Sequence, residues 1–216
     1  LRAAVLGADD GIVSLAALMI GVIAAGASRT TVLTSAAAAL VAGAGSMAAG
    51  EYVSVSSQRD TERADLKQER RELAADPDGE QRELAEIYQR RGLTSELATQ
   101  VATALMKSDA VGAHARDELG VNQDQLARPI QAALSSAASF TVGAVLPIVA
   151  LLVAPQPTRT VAVIVSALLA LVILGVAGAR AGGAPPIRAA VRVGLGGGLA
   201  MLVTAGVGRL VGGAPL

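Results

Sequence analysis

Residues Thr30 to Gly50 read TTVLTSAAAALVAGAGSMAAG, and this stretch decides the fold. It carries no charge over a length that suits a bilayer-crossing helix, which needs roughly 20 mostly apolar residues. It runs on into Glu51–Ala75, EYVSVSSQRDTERADLKQERRELAA, which is highly charged and contains neither Pro nor Gly. One long helix that starts apolar and ends polar is therefore expected. Four further spans lie outward from it. Gly11–Ala27 is charge-free and continues back through Ala3–Ala8, interrupted by Asp9 and Asp10. Pro129–Ala154 and Thr160–Ala179 are charge-free, and Val193–Gly208 extends back through Ile187 if Arg188 and Arg192 lie near the interface. Ser28-Arg29, Pro155-Gln156-Pro157 and Gly182–Pro186 separate neighbouring spans. The first span shows no cleavage pattern and four more follow, so it reads as a membrane helix and not a signal peptide.

Composition excludes several classes. Of 216 residues 52% are hydrophobic but only 1% aromatic, with no Trp, which is a poor recipe for the core of a soluble enzyme. The absence of Cys removes disulfides, thiolate metal sites and Cys nucleophiles. A single His, His114, removes multi-His centres. No nucleophile–base pair is visible, so no enzyme is expected. Net charge is zero, and no basic excess argues for nucleic acid. Between Glu51 and Arg128 stand 16 acids and 11 bases, so the charge sits in one insert. Arg2, Arg180, Arg188 and Arg192 fall on the insert's side of the membrane, against Arg29, Arg159 and Arg209 on the other. This bias points the insert to the cytosol.

Within the insert, Asp76-Pro77-Asp78-Gly79 reads as a stop and turn. A helix is expected over Glu80–Arg91, ended by Gly92, and another over Ser95–Lys107 with its cap at Thr94-Ser95-Glu96. A short segment, Ala110–Leu119, follows and ends at Gly120, and Asn122–Asp124 leads into the third span. Asp65, Glu69, Glu72 and Asp76 are spaced by 4, 3 and 4, which sets them on one helix face. Glu80, Glu83 and Glu86 form a second acidic face. A hairpin about the turn would bring Glu69 and Glu72 near Glu80 and Glu83, a carboxylate set suited to a divalent cation. Arg59, Arg63, Lys67, Arg70 and Arg71 share the first of these helices, so the same acids could instead be a solvated ion-paired face. His114 and Glu118, at i and i+4, could share a metal or simply pair with each other.

Polar groups also enter the spans. Asp9 and Asp10 lie in the first, where a carboxylate costs at least a few kcal/mol unless functional or near the interface. Met47 lies in the second, one turn before Glu51, and its thioether is a soft ligand or plain packing. Ala38, Ala42, Ser46 and Gly50 make a small-residue ridge, as do Gly194 and Gly198 on the fifth span. Such helices could pack alone or pair across a twofold axis, and the ridge could also be mere compositional bias.

Three strings carry a family likeness. Gly7-Ala8-Asp9-Asp10-Gly11-Ile12-Val13-Ser14, Gly45-Ser46-Met47-Ala48-Ala49-Gly50-Glu51-Tyr52 and Ala113-His114-Ala115-Arg116-Asp117-Glu118-Leu119-Gly120 resemble the vacuolar iron transporter family. The likeness implies an all-α integral membrane homodimer with five transmembrane helices per subunit. It also implies a cytosolic three-helix metal-binding insert between helices 2 and 3. The corresponding divisions are 1–50, 51–123 and 124–216. It further implies export of Fe²⁺, and often Mn²⁺, from the cytosol in exchange for protons. Glu69, Glu72, Glu80, Glu83 and Glu118 match the family's cytosolic glutamates, and Asp10 and Met47 match residues of its translocation path. This sequence departs from the family at Ala39, where some members carry Glu. It departs at His114 and Ala115, where some carry a Met pair, and at Asp9, where Asn is common.

The expectation is thus a divalent metal–proton antiporter with no permanently bound cofactor. Its metal-contacting residues are Glu69, Glu72, Glu80, Glu83, Glu118, His114, Asp10, Met47 and Glu51, and its partners are the bilayer, a second copy, metal ions and protons. The alternative is a membrane-anchored metal sensor without transport, which would need the insert's carboxylates but not Asp10 or Met47. The Arg-rich, Lys-poor, Ala-rich usage suggests a high-GC bacterial source and hence a plasma membrane.

Overall fold

A computed structural model describes residues 2–122 and 126–212. The expected lead-in at Asp124 and the side chain of Arg2 lie outside the described positions. The described residues form seven α-helices and no strand. They are α1 (Arg2–Ala24), α2 (Arg29–Ala75), α3 (Pro77–Arg90), α4 (Ser95–Asp117), α5 (Pro129–Val153), α6 (Arg159–Ala181) and α7 (Pro186–Gly212), with one 3₁₀ turn at Gln156–Thr158. Five of them, α1, α2, α5, α6 and α7, are long and apolar enough to cross a membrane. The chain divides into two units, Leu1–Tyr52 with Ile130–Leu216, and Val53–Pro129.

The first unit is held by close backbone approach, because its side chains are too small to bridge wide gaps. α1 packs on α6 and α7, and α6 packs on α7. On another side α1 meets α5 so tightly that a Cβ at Gly11 would strike the Phe140 carbonyl, and one at Gly143 would strike that of Ala8. A Cβ at Gly208 would likewise hit the Gly21 carbonyl, which joins α7 to α1. Small residues at such crossings let helices gain dispersion contact in a lipid environment that supplies no hydrophobic drive. Phe140, the only Phe, packs over Gly43 of α2, while Leu15, Met19, Leu151, Val163 and Leu171 fill the remaining core. Gly26, at φ 81°, lets the chain reverse after α1, and Ser28 then caps α2 by accepting from the Thr31 amide at 3.2 Å.

The second unit centres on α3 and α4, which pack through Leu84, Ala85, Ile87, Ala98, Ala102 and Ala113. α3 starts earlier than the expected Glu80. Asp76 is its N-cap and Pro77 opens its first turn, so the residues that read as a turn are the helix start. α4 is in effect two helices: Asp109, at φ −157° and ψ 87°, breaks the helical path between the expected Ser95–Lys107 helix and the short segment after it.

Gly11→Leu should lower thermal stability by about 1–3 kcal/mol or more, the usual cost of overpacking. Gly206→Ala should change little, since nothing lies within 4 Å of a Cβ there. Melting of the two variants in detergent checks this contrast.

Candidate metal centre

Two local motifs of the same form place the candidate ligands of the second unit. Asp76 Oδ1 accepts from the Gly79 amide at 2.9 Å, and Glu80 follows directly on the first turn of α3. Asp109 Oδ1 accepts from the Gly112 amide at 2.9 Å, and the helix restarted there carries His114 and Glu118 on one face. Glycine suits both third positions, because a Cβ at either would meet the capping carboxylate. α2 supplies Glu69.

Three carboxylates of this set converge on one imidazole nitrogen. His114 Nδ1 lies 2.9 Å from Glu118 Oε2, 3.1 Å from Glu69 Oε1 and 3.7 Å from Glu80 Oε2. One donor atom from each of the four residues lies within 4.8 Å of all the others. That spread is about twice the reach of a divalent cation with ligands at roughly 2.0–2.6 Å. His114 is fully buried and Glu69 is 2% exposed.

A single N–H cannot serve three carboxylates. Nδ1 is hydrogen-bonded with Glu118, and the buried Glu69 Oε1 has no hydrogen-bond partner. His114 Nε2 is also buried without one. Unpartnered buried polar atoms are costly, and a cation among these oxygens would satisfy Glu69 Oε1. Burial pushes the Glu69 carboxyl up to about 7; His114 opposes the rise, and Glu118, Glu80 and Glu72 add to it. Burial also raises Glu80, opposed by His114 and reinforced by Glu83, Glu118 and Glu72. Both shifts favour the protonated carboxyl, so a metal entering the cluster must compete with protons.

Glu72 and Glu83 are exposed and stand outside the four-atom group, although their charges act on Glu69 and Glu80. Glu72 accepts from Gln68 Nε2 at 3.0 Å. Sequence reasoning missed the latch beside the cluster. Asp117 accepts from Arg91 Nη1 at 2.6 Å and from the Tyr88 hydroxyl at 3.0 Å, and Arg91 Nη2 donates to the Asp117 carbonyl. Burial pushes the Asp117 carboxyl up, but the bonds from Arg91, Tyr88 and Arg116 outweigh it and hold it below its ordinary value. The latch ties the end of α4, next to Glu118, to α3. Its only sequence signal is the rarity of tyrosine in this chain.

In the first unit, Asp9, Asp10, Val13, Met47 and Arg192 line one cavity of about 550 Å³. Asp10 accepts from the Ser14 hydroxyl at 3.0 Å, and Asp9 Oδ1 is buried without a partner. Arg192, read from sequence only as an orientation signal, lines this cavity too. Glu51 is half-buried on α2 and is not among the residues lining it.

A bundle of apolar helices joined to a polar unit with a carboxylate–imidazole cluster, buried at Glu69 and His114 and open at Glu118, defines an integral membrane protein equipped to handle cations. Comparison with known proteins narrows this class. The VIT family model matches residues 1–209. The chain is 46% identical over 211 residues to a "Vacuolar iron transporter" of Acanthamoeba castellanii, covering 97% of this chain and 78% of that protein. It is 40% identical over 213 residues to "Vacuolar iron transporter homolog 1" of Oryza sativa subsp. japonica, covering 98% and 74%. It is 36% identical over 213 residues to "Vacuolar iron transporter homolog 2" of Arabidopsis thaliana, covering 98% and 84%. The chain belongs to the VIT family.

The raised Glu69 carboxyl sets the sign of a pH effect. Its folded value lies above the ordinary 4.5, so the stability it contributes is full below about 4.5 and is lost as pH rises through about 7. Metal-free protein should lose melting temperature across that window. Glu69→Gln should remove most of the loss, because it keeps the shape without the buried charge. The same variant should abolish the stabilisation that added divalent metal gives at pH above 7. Thermal melts with and without metal across the pH range check all three.

Proposed function

We propose that this protein carries Fe²⁺, with Mn²⁺ as a second substrate, out of the cytosol in exchange for protons, working as a homodimer. The observation that carries the reading is the convergence of Glu69, Glu80, His114 and Glu118 on an ion-sized gap with too few protons to go round. The names of the relatives support iron as the cargo. Imidazole together with carboxylates suits borderline first-row ions better than Mg²⁺ or Ca²⁺.

In this reading the insert faces the cytosol and collects the ion, while the exposed Glu72 and Glu83 raise its local concentration. Asp10 and Met47 then take it within the membrane, a carboxylate for charge and a thioether for softness, and Glu51 stands further along α2. Proton exchange has a direct chemical source. Each carboxylate must lose its proton to bind the cation, and an acidic far side returns the proton and releases the ion. Pairing of two copies is supported by α2, where Ala38, Ala42, Ser46 and Gly50 are all exposed and a Cβ at Gly45 or Gly50 would meet nothing within 4 Å.

Vesicles holding the purified protein should take up Fe²⁺ against a proton gradient and move protons the other way. Glu69→Gln should weaken metal binding by at least the ~10–100-fold typical of a lost supporting partner. Asp10→Asn and Met47→Ala should cut flux while leaving that binding intact. Binding without flux in the unmodified protein would instead favour a membrane-anchored sensor.

The chain has no cysteine, so Ser46→Cys introduces a unique thiol. In membranes it should form a disulfide-linked dimer on mild oxidation, whereas Leu134→Cys, on the exposed face of α5, should not. Gel mobility without reductant reads the outcome.

A further inference from the structure

No acid follows Asp124, whereas six arginines do. Arg159, one of the six, and Arg29, earlier in the chain, show how such a charge is ordinarily absorbed: Arg29 Nη2 donates to the Leu152 carbonyl at 3.0 Å and Arg159 Nε to that of Ala154 at 3.2 Å, so both cap the end of α5. Arg180 and Arg188 are different. Both are exposed, and neither has a hydrogen-bond or ion-pair partner among the described residues. They flank the connection between α6 and α7.

A groove of about 570 Å³ runs between those two helices. Leu168, Val172 and Val176 of α6 and Ile187, Val191 and Leu195 of α7 form its walls, and Arg180 lines it as well. Arg188 precedes Val191 by three residues and Leu195 by seven, so it shares their stripe on α7. This is not the face that lines the cavity of Asp10 and Met47. That face carries Val193 and Gly197, and Val191 stands about 200° round the helix from Val193.

The chemistry of the groove selects its occupant. Both helices are long and apolar enough to cross a membrane, so lipid is the medium such a groove would meet. Its walls accept an acyl chain, and its arginines, with no protein acid near them in sequence, call for a phosphate-bearing anionic headgroup. We propose that the α6–α7 groove is a binding site for an anionic phospholipid, with the acyl chain between Val172 and Leu195 and the headgroup on Arg180 and Arg188. The site is independent of the transport reading, because it uses none of the residues placed in the cation machinery.

The absence of tryptophan makes the test clean. Leu195→Trp, at a position 70% exposed, places the only indole in the groove, and Val142→Trp, 68% exposed on α5, serves as the control. Each full-length variant is reconstituted in vesicles of phosphatidylcholine mixed with brominated phosphatidylglycerol or with brominated phosphatidylcholine, and quenching gives the relative binding of the two lipids. The L195W fluorophore should favour phosphatidylglycerol about fivefold, the scale of one Arg contact with an anionic lipid. The preference should disappear in the added presence of Arg180→Gln and Arg188→Gln, and the V142W fluorophore should show none. Equal quenching by both lipids at the groove would overturn the proposal. So would a preference of the same size at the control position, or one that survives removal of both arginines.

Discussion

Three carboxylates crowd one imidazole nitrogen that has a single proton to offer, and the polar unit is organised around that shortage. His114 hydrogen-bonds with Glu118 and leaves Glu69 Oε1 buried and unsatisfied at 3.1 Å. A fold does not gain stability from such an arrangement, since burying a charge without a partner costs more than a surface ion pair returns. The surrounding structure holds it in place regardless. Two aspartate caps start the segments that bear Glu80 and His114, the α3–α4 core fixes their spacing, and the Arg91–Asp117–Tyr88 latch closes the end beside Glu118. The raised carboxyl of Glu69 is the electrostatic sign of the same tension.

The membrane unit solves a different problem. Lipid offers no hydrophobic gain for bringing apolar helices together, so contact must come from shape. Glycines at 11, 143 and 208 let backbones touch where any side chain would intrude, and the single Phe140 fills the gap that Gly43 leaves. The same economy of size leaves α2 with an open ridge of small residues, and leaves α6 and α7 with a groove ended by unpaired arginines. Charges in this unit are few: Arg29 and Arg159 cap α5, Asp9, Asp10 and Arg192 line the cavity with Met47, and Arg180 lines the groove.

Much of this was legible from the chain alone. The five apolar stretches correspond to the five candidate spans, because a charge-free run of that length has few alternatives to a helix. The break between the Ser95–Lys107 helix and the segment bearing His114 was visible too, although its cause, Asp109 capping onto Gly112, was not. α3 starts before the Glu80 that its sequence suggests, because Asp-Pro-Asp-Gly signals a turn and a helix start with the same residues, and only the path of the next turn separates them. The place of Arg192 in the cavity and the Asp117 latch are not legible in the sequence, because each joins residues far apart in it.

The order of residues by itself determined that the chain is helical, that five of its helices are apolar enough for a bilayer, and that its acids are gathered in one insert. Those properties depend on local composition and period. Only the tertiary structure decided which of the acids meet. Glu69, Glu72, Glu80 and Glu83 are equivalent as a pattern, yet Glu69 and Glu80 turn inward to His114 while Glu72 and Glu83 face water. Helix spacing fixes the face a side chain shares, but the packing of one helix against another fixes which member of that face loses its water.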